Sequence, residues 1–241
     1  LKNSYKVLDI NKKLLSNVIS FASRQKNLKK LFFTSTSEIY AGTLKKSTLV
    51  IPTPEDSNIV LPDLNHPRTS YMLSKAYGEA MCFASSLPVI ILRPHNIFGQ
   101  RMGMAHVIPQ LIKRAFNTPK NGQLGIYSPS HTRAFCYIKD AIDSIYKLIE
   151  LNLKENNVFN LGTSEPEITM LNLAKEIINI MDRGDINLIE LEDTPGSPRR
   201  RCPDTKKIDN ISGIKKRTDL AIGIAQTYKW YNDRSEYFLN K

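Results

Sequence analysis

The sequence predicts an α/β fold built on a parallel sheet, and three observations carry that reading. Short, strongly apolar runs of strand length recur at "KLFFTST", "PVIILRP" and "NVFNLG". Between them lie longer segments whose apolar residues fall three and four apart, the spacing of a helix with one buried face. Strands that alternate with helices in this way are the pattern of a parallel sheet with helical crossovers.

Over 4–27, Val7, Ile10, Leu14, Leu15, Val18, Ile19 and Ala22 keep helical spacing. Residues 30–36 read as a strand. Residues 43–69, rich in Pro, Ser, Thr and Asn, read as an irregular excursion. A helix is expected over 70–86 and a strand over 88–94, and a loop over 95–105 leads into a helix over 106–117. Short β segments follow at 123–127 and 132–138, then a helix over 139–151 and a strand over 157–162. Thr169 opens a helix over 169–181, 186–192 is another strand, 193–204 a loop, and 217–237 the last helix.

At 241 residues the chain can form one large domain or two small ones. No run of 18 apolar residues occurs and no secretory signal is visible, so no membrane partner is expected. Cys82, Cys136 and Cys202 are odd in number and far apart, which fits reduced thiols in a cytoplasmic protein better than disulfides. His66, His95, His106 and His131 show no metal-binding spacing, and no metal is expected. The net charge of +11, from 34 Lys and Arg against 23 Asp and Glu, would attract polyanions. The basic residues are scattered, however, and only "PRRRC" at 198–202 is a tight cluster. A nucleic-acid-binding module predicts clustered charge with interleaved aromatics, and the sequence shows neither. A solvated surface, or a few arginines for a phosphate-bearing substrate, accounts for the charge.

The stretch "LFFTSTSEIYAG" at 31–42 ends an apolar strand in hydroxyls and one carboxylate. It is either an ordinary strand exit or a row of proton-handling groups. About 35 residues on, Tyr71 and Lys75 form a Tyr-x-x-x-Lys pair. On a helix these share a face, and a cation beside a phenol favours phenolate, making the tyrosine a usable base. Alone the spacing is weak, because Tyr237 and Lys241 repeat it by chance.

The context is more specific. "TSTSEIYAG", "YMLSK", "ILRPHNIFGQR", "HTRAFCYIKDAIDSI", "VFNLGTSEPEIT" and "RRRCPDTKKI" follow one another in order over nearly the whole chain. Together they resemble the motifs of the extended short-chain dehydrogenase/reductase family, and within it the NAD-dependent nucleotide-sugar epimerases, dehydratases and decarboxylases. The resemblance implies a Rossmann-type sheet with a small C-terminal substrate-binding region, and NAD as cofactor. It implies that Tyr71 takes the proton of the sugar 4-hydroxyl and that Lys75 tunes Tyr71 and holds the nicotinamide ribose, with Pro94 also at the cofactor. Thr36 would hydrogen-bond the 4-hydroxyl, with Ser37 beside it at the substrate. Glu38 resembles the acid of UDP-glucuronate decarboxylases and GDP-mannose dehydratases, placed for work at C5 and C6. On Glu38 alone, decarboxylation or 4,6-dehydration ranks above 4-epimerisation. Arg133 and Arg201 match family arginines that hold the diphosphate and nucleotide, Tyr127 would lie near the uridine, and Asn96 near the sugar diphosphate.

The sequence departs from the family pattern in places. Its eleven glycines contain neither G-x-G-x-x-G nor G-x-x-G-x-x-G, the turns that cradle a dinucleotide pyrophosphate. By family register Leu1 falls just before the helix preceding strand five, so the first four strands are expected to be missing. The strand at 30–36 should then have an unpaired edge and an uncovered apolar face. Gln100 stands where Gly-Pro-Arg is usual, Ala41 is inserted before Gly42, the Tyr127–Arg133 loop is about a residue short, and His131 replaces a common glutamine. The expected organisation is 1–95 as the later half of the cofactor-binding domain and 96–241 as mainly substrate-binding, with about 139–162 returning to the sheet. The family also implies a homodimer joined through the helices at 4–27 and 70–86. A non-catalytic nucleotide-sugar-binding remnant, or an inactive fragment, stands as the alternative.

Overall fold

The first helix stops where its apolar period stops. The helix α1 spans Ser4–Ala22, short of the expected residue 27, because Ser23 to Asn27 offer nothing to bury. Its end tightens through Arg24 N to Phe21 O and Gln25 N to Ala22 O, bonds of the three-residue kind that close a helix terminus. Strand β1 is Leu31–Thr34, followed by a one-turn 3-10 helix at Ser37–Tyr40 and a short helix α2 at Ala41–Lys45. Helix α3 (Thr69–Ala84), strand β2 (Val89–Pro94) and strand β3 (Ile97–Phe98) come next. They lead to α4 (Val107–Asn117), β4 (Gln123–Tyr127), β5 (Thr132–Ala134), β6 (Cys136–Tyr137) and α5 (Ile138–Glu150). The remainder is β7 (Asn157–Leu161), β8 (Glu167–Thr169), α6 (Met170–Ile180), β9 (Asn187–Leu191) and β10 (Arg200–Arg201), then α7 (Lys206–Ser212), α8 (Leu220–Asn232) and α9 (Glu236–Leu239). The computed structural model describes residues 4–46, 48–61, 63–66, 69–153, 157–214 and 216–239. Lys241, the partner of Tyr237 in the chance repeat, lies outside them.

Several elements differ from expectation. Strand β3 lies in the supposed loop over 95–105, and β10 and α7 lie in or beside the loop over 193–204. The single β segment over 132–138 is two strands, with α5 beginning at Ile138. The last helix starts later, where Asp219 caps α8 by accepting from Ala221 N at 2.8 Å, and it breaks before α9.

The chain divides into two units. The first holds residues 1–95, 144–161 and 203–213. Its sheet has the order β1-β2-β7, all parallel, so among the described residues β1 borders β2 alone. Val89 and Ile91 cluster with Leu15 of α1 and Cys82 of α3, and Leu31, Phe33 and Val158 join from the same face. The alternate residues Ile90, Leu92 and Phe159 point the other way, and Lys207 of α7 lies over the Phe159 ring at 4.9 Å. All three apolar residues of β1 are only partly buried, unlike the fully buried centre of β2. The second unit holds residues 96–143, 162–202 and 214–241. It carries the parallel pairs β3–β6 and β4–β9 and a sheet β10-β5-β8, in which β5 and β8 run antiparallel. Its core gathers Phe98, Ile112, Leu124, Ile126, Leu173 and Tyr231 from these strands and from α4, α6 and α8.

Helix α3 lies against α1, and Gly78 permits the approach. A Cβ there would stand 2.5 Å from Phe33 Cζ and 3.2 Å from Leu15 Cδ2. Replacing a helical glycine by alanine ordinarily stabilises by up to about 1 kcal/mol. At this position the sign reverses: Gly78→Ala is expected to destabilise by about 1–3 kcal/mol through overpacking. Urea unfolding of the variant checks it, and Phe33→Leu in the same chain should recover part of the loss.

Candidate active site

After β1 the chain stays extended for two residues. Ser35 N donates to Leu92 O at 2.7 Å, carrying the β1–β2 ladder one step further. Thr36, at φ −160°, then caps the 3-10 turn, its Oγ1 accepting from Glu38 N at 3.2 Å. Thr36 and Ser37 are buried, and Glu38 is half-buried in the first turn. Helix α3 packs against this turn. On it, the half-buried Lys75 Nζ donates to Thr34 O at 2.8 Å, two residues before Thr36. The ammonium lies 6.0 Å from the Tyr71 ring centroid and 5.1 Å from that of Phe33. Burial holds the Lys75 pKa below the ordinary lysine value. Pro94 ends β2, two residues after the Leu92 carbonyl that receives Ser35. The first unit therefore gathers Thr36, Ser37, Glu38, Tyr71, Lys75 and Pro94 about the C-terminal ends of β1 and β2. That is where open α/β sheets bind ligands.

Behind these residues lies a buried polar network that the sequence reading passed over. Arg93 is 4% exposed and Glu79 3%. Arg93 Nη2 donates to Glu79 Oε2 at 2.6 Å and Nε to Oε1 at 3.0 Å, a bidentate pair. Arg93 Nη1 donates to the Tyr40 hydroxyl at 2.6 Å and to Glu55 O at 2.7 Å. Tyr40 passes the chain on by donating to Asn160 Oδ1 at 3.1 Å, and His95 Nε2 meets the same oxygen at 3.0 Å. Burial pushes the Tyr40 phenol up to about 12, against the pull of Arg93, so it remains a donor. Burial also raises the Glu55 carboxyl, whose Oε1 accepts from Asn160 N at 2.8 Å. Two signals in the sequence point here: Glu79 continues the stripe Tyr71, Lys75 at the same interval, and an arginine inside "VIILRP" must be paired if the strand is buried.

In the second unit, Arg133 of β5 and Arg201 of β10 are register partners in adjacent parallel strands. The loop before β10 engages the Arg133 fork, Nη2 donating to Pro198 O at 2.6 Å and Ser197 Oγ at 3.1 Å, while Nη1 donates to Thr132 O of its own strand at 2.7 Å. Buried His131 flanks the same loop, Nε2 lying 3.2 Å from Asp193 Oδ2 outside hydrogen-bond alignment, and Nδ1 3.4 Å from Ser197 Oγ. Tyr127 ends β4, 57% exposed. Asn96 takes a positive φ of 41°, and its Nδ2 donates to Ala134 O at 3.0 Å, so its amide ties β5 to the start of β3.

The sequence model of the NAD dependent epimerase/dehydratase family matches residues 1–162. The chain belongs to that family. Among its relatives is the dTDP-D-glucose 4,6-dehydratase of Dictyostelium discoideum, 28% identical over 256 residues, covering 88% of this chain and 57% of that protein. The UDP-glucuronic acid decarboxylase 3 of Arabidopsis thaliana is 30% identical over 207 residues, covering 81% of this chain and 55% of the relative. The chain thus spans a little over half the length of these family members. Its fold is also that of the UDP-glucuronic acid 4-epimerase from Bacillus cereus, solved with UDP-glucuronic acid and NAD. The TM-score is 0.72 at 21% identity, over 93% of this chain and 68% of the other.

The ion pair gives a direct test of the network's energetics. Arg93→Met leaves the Glu79 carboxylate buried without its partner and should cost about 3–5 kcal/mol. Arg93→Met with Glu79→Met removes both charges and should recover much of that loss in denaturant unfolding.

Proposed function

We propose that this chain carries the proton-handling and substrate-holding residues of an NAD-dependent nucleotide-sugar enzyme that oxidises the sugar at C4. The observation that carries the reading is the Lys75 ammonium, bonded to Thr34 O at the strand end and stationed beside Tyr71 on one face of α3. Tyr71, with Lys75 beside it, accepts the 4-hydroxyl proton, and Thr36 holds that hydroxyl in place. Glu38 is then in position to work at C5, which a 4-ketone makes acidic or, where C5 bears a carboxylate, prone to lose it. That ranks decarboxylation or 4,6-dehydration above 4-epimerisation. Ser37 contacts the sugar, Arg133 and Arg201 take the diphosphate, Tyr127 the nucleoside and Asn96 the sugar-phosphate end. A UDP-sugar fits best with the decarboxylase relative.

When bound, NAD supplies the hydride acceptor for C4. The residues present fit its nicotinamide end. An ammonium has three N–H donors, and Lys75, half-buried with one donor on Thr34 O, can turn another to the ribose, with Pro94 at the neighbouring strand end. A second reading, nucleotide-sugar binding without turnover, is separated from the first by the experiment below. Cys82, Cys136 and Cys202 are buried thiols, which supports a reducing, cytoplasmic setting. Among the described residues no helix is long and apolar enough to cross a membrane. Ile10, Leu14, Val18 and Phe21 form an exposed apolar stripe on α1, and Tyr77 and Phe83 are exposed on α3. This supports a homodimer joined through those two helices.

Fusing the chain to the glycine-rich N-terminal part of a family relative, with NAD and UDP-glucuronate added, tests the reaction. Reduction is read in the NADH absorption band, and Tyr71→Phe should slow it about 10²–10⁴-fold. Equal rates in the two proteins would refute Tyr71 as the base. UDP titrated calorimetrically into the unfused chain tests the arginines: Arg201→Ala should weaken binding about 10–100-fold. Binding without any NAD reduction would select the second reading.

A further inference from the structure

We propose that Glu79 and Arg93 are positioning residues, their buried ion pair fixing the Tyr71–Lys75 face of α3 in one register against the end of β1. The inference rests on the reading that Tyr71 and Lys75 handle the proton, and it extends the functional set to residues that touch neither substrate nor cofactor.

The geometry is a stitch between helix and strand end. Lys75 holds the carbonyl of Thr34, and one turn further along α3 Glu79 holds the side chain of Ser35, whose Oγ donates to Oε1 at 2.5 Å. Two neighbouring residues of the chain that leads to Thr36 are thus gripped by two residues one helical turn apart. Glu79 is itself held from the other side by Arg93 of β2, through both carboxylate oxygens. The remaining Arg93 contacts reach the Tyr40 hydroxyl, at the far end of the 3-10 turn, and Glu55 O, in the excursion that leads towards α3. One guanidinium therefore binds together the helix with Tyr71 and Lys75, the turn with Thr36 and Glu38, and the segment between them.

The apolar contacts of α3 do not specify this register alone. Cys82, Val89, Ile91 and Leu15 form a non-directional cluster, and such surfaces tolerate a small slide or rotation. A bidentate charge pair does not, since displacement leaves a buried charge unpaired.

The test reads the surroundings of Lys75 in this chain without cofactor or substrate. Competitive acylation with a small anhydride over a pH series gives the midpoint at which Lys75 becomes reactive. In the native protein burial holds that midpoint below that of a free lysine side chain. In Glu79→Gln the stitch slackens, water reaches the ammonium, and the midpoint should rise towards the free value. Ser35→Ala removes one strand of the stitch and leaves the ion pair intact, so it folds even if Glu79→Gln does not, and its midpoint should rise by a smaller amount. Ile208→Ala, a cavity on α7 against the opposite face of the sheet, lowers stability and should leave the midpoint where it is. An unchanged midpoint in Ser35→Ala, or an equal rise in Ile208→Ala, overturns the proposal and leaves the pair a purely structural element. Neither outcome depends on nucleotide-sugar turnover, so failure here and failure of the proposed reaction are read separately.

Discussion

A guanidinium inside a central strand is the constraint around which the first unit is arranged. Arg93 is the fifth residue of β2, and the four before it are buried hydrophobics. Taking such a charge out of water costs several kcal/mol unless it is paired and its N–H groups are met. Burial works against the charge, and the hydrogen bonds and field of Glu79, with Tyr40 assisting, more than offset it, so the Arg93 pKa lies above its ordinary value. Every element that meets this demand is thereby located: α3 by Glu79, the 3-10 turn by Tyr40, and the excursion after α2 by the Glu55 carbonyl. Asn160 of β7 completes the arrangement, its amide donating to Thr53 O at 2.8 Å and its Oδ1 accepting from Tyr40. Irregular chain between β1 and α3 is held by these polar groups of the sheet, while several of its own apolar residues, Val50, Leu61 and Leu64 among them, stay exposed.

The candidate residues of the second unit follow a different logic. Arg133 and Arg201 stand in register on adjacent strands, and two like charges so placed repel unless acceptors stand between or beside them. For Arg133 the acceptors are the Pro198 carbonyl and the Ser197 hydroxyl of the loop before β10. Arg200, between the loop and Arg201, turns instead to Glu167, and that contact holds the Glu167 carboxyl below its usual range. Within the basic run at 199–201, strand alternation sends Arg200 and Arg201 to opposite faces of β10.

Long periodic elements were legible in the sequence. The apolar run of β2, the spacing in α1 and the hydroxyls ending β1 each carry enough residues to declare a period or a break in one. Strands β3, β8 and β10 are two or three residues long, below the length at which alternation exists, and they form because a partner strand is brought to them. Helix α7 is hidden for a related reason: Ile208 is its single fully buried hydrophobic residue, so no apolar face marks it. Among the candidate residues, Tyr71, Lys75, Thr36 and Glu38 were singled out through the resemblance of their motifs to the family, since the Tyr-x-x-x-Lys spacing alone is weak. Glu79 and Arg93 were not, because a charge in an apolar strand is informative only once the strand is known to be central and its partner lies across the sheet.

The placement of Lys75 shows why a site of this kind is half-buried rather than exposed or sealed. Partial burial strengthens the field that the Lys75 ammonium exerts on its neighbours, among them the Tyr71 ring, whose centroid is 6.0 Å away. The same burial disfavours the ammonium itself and lowers its pKa, so further desolvation would deprotonate the group on which the effect depends. The Thr34 carbonyl resolves the conflict, since it accepts from the charged form and lies where the strand has just ended. That carbonyl is open to the lysine by strand alternation: Leu31 and Ser35 make the bonds to β2, so among the described residues the Thr34 carbonyl is not used in the β1–β2 ladder.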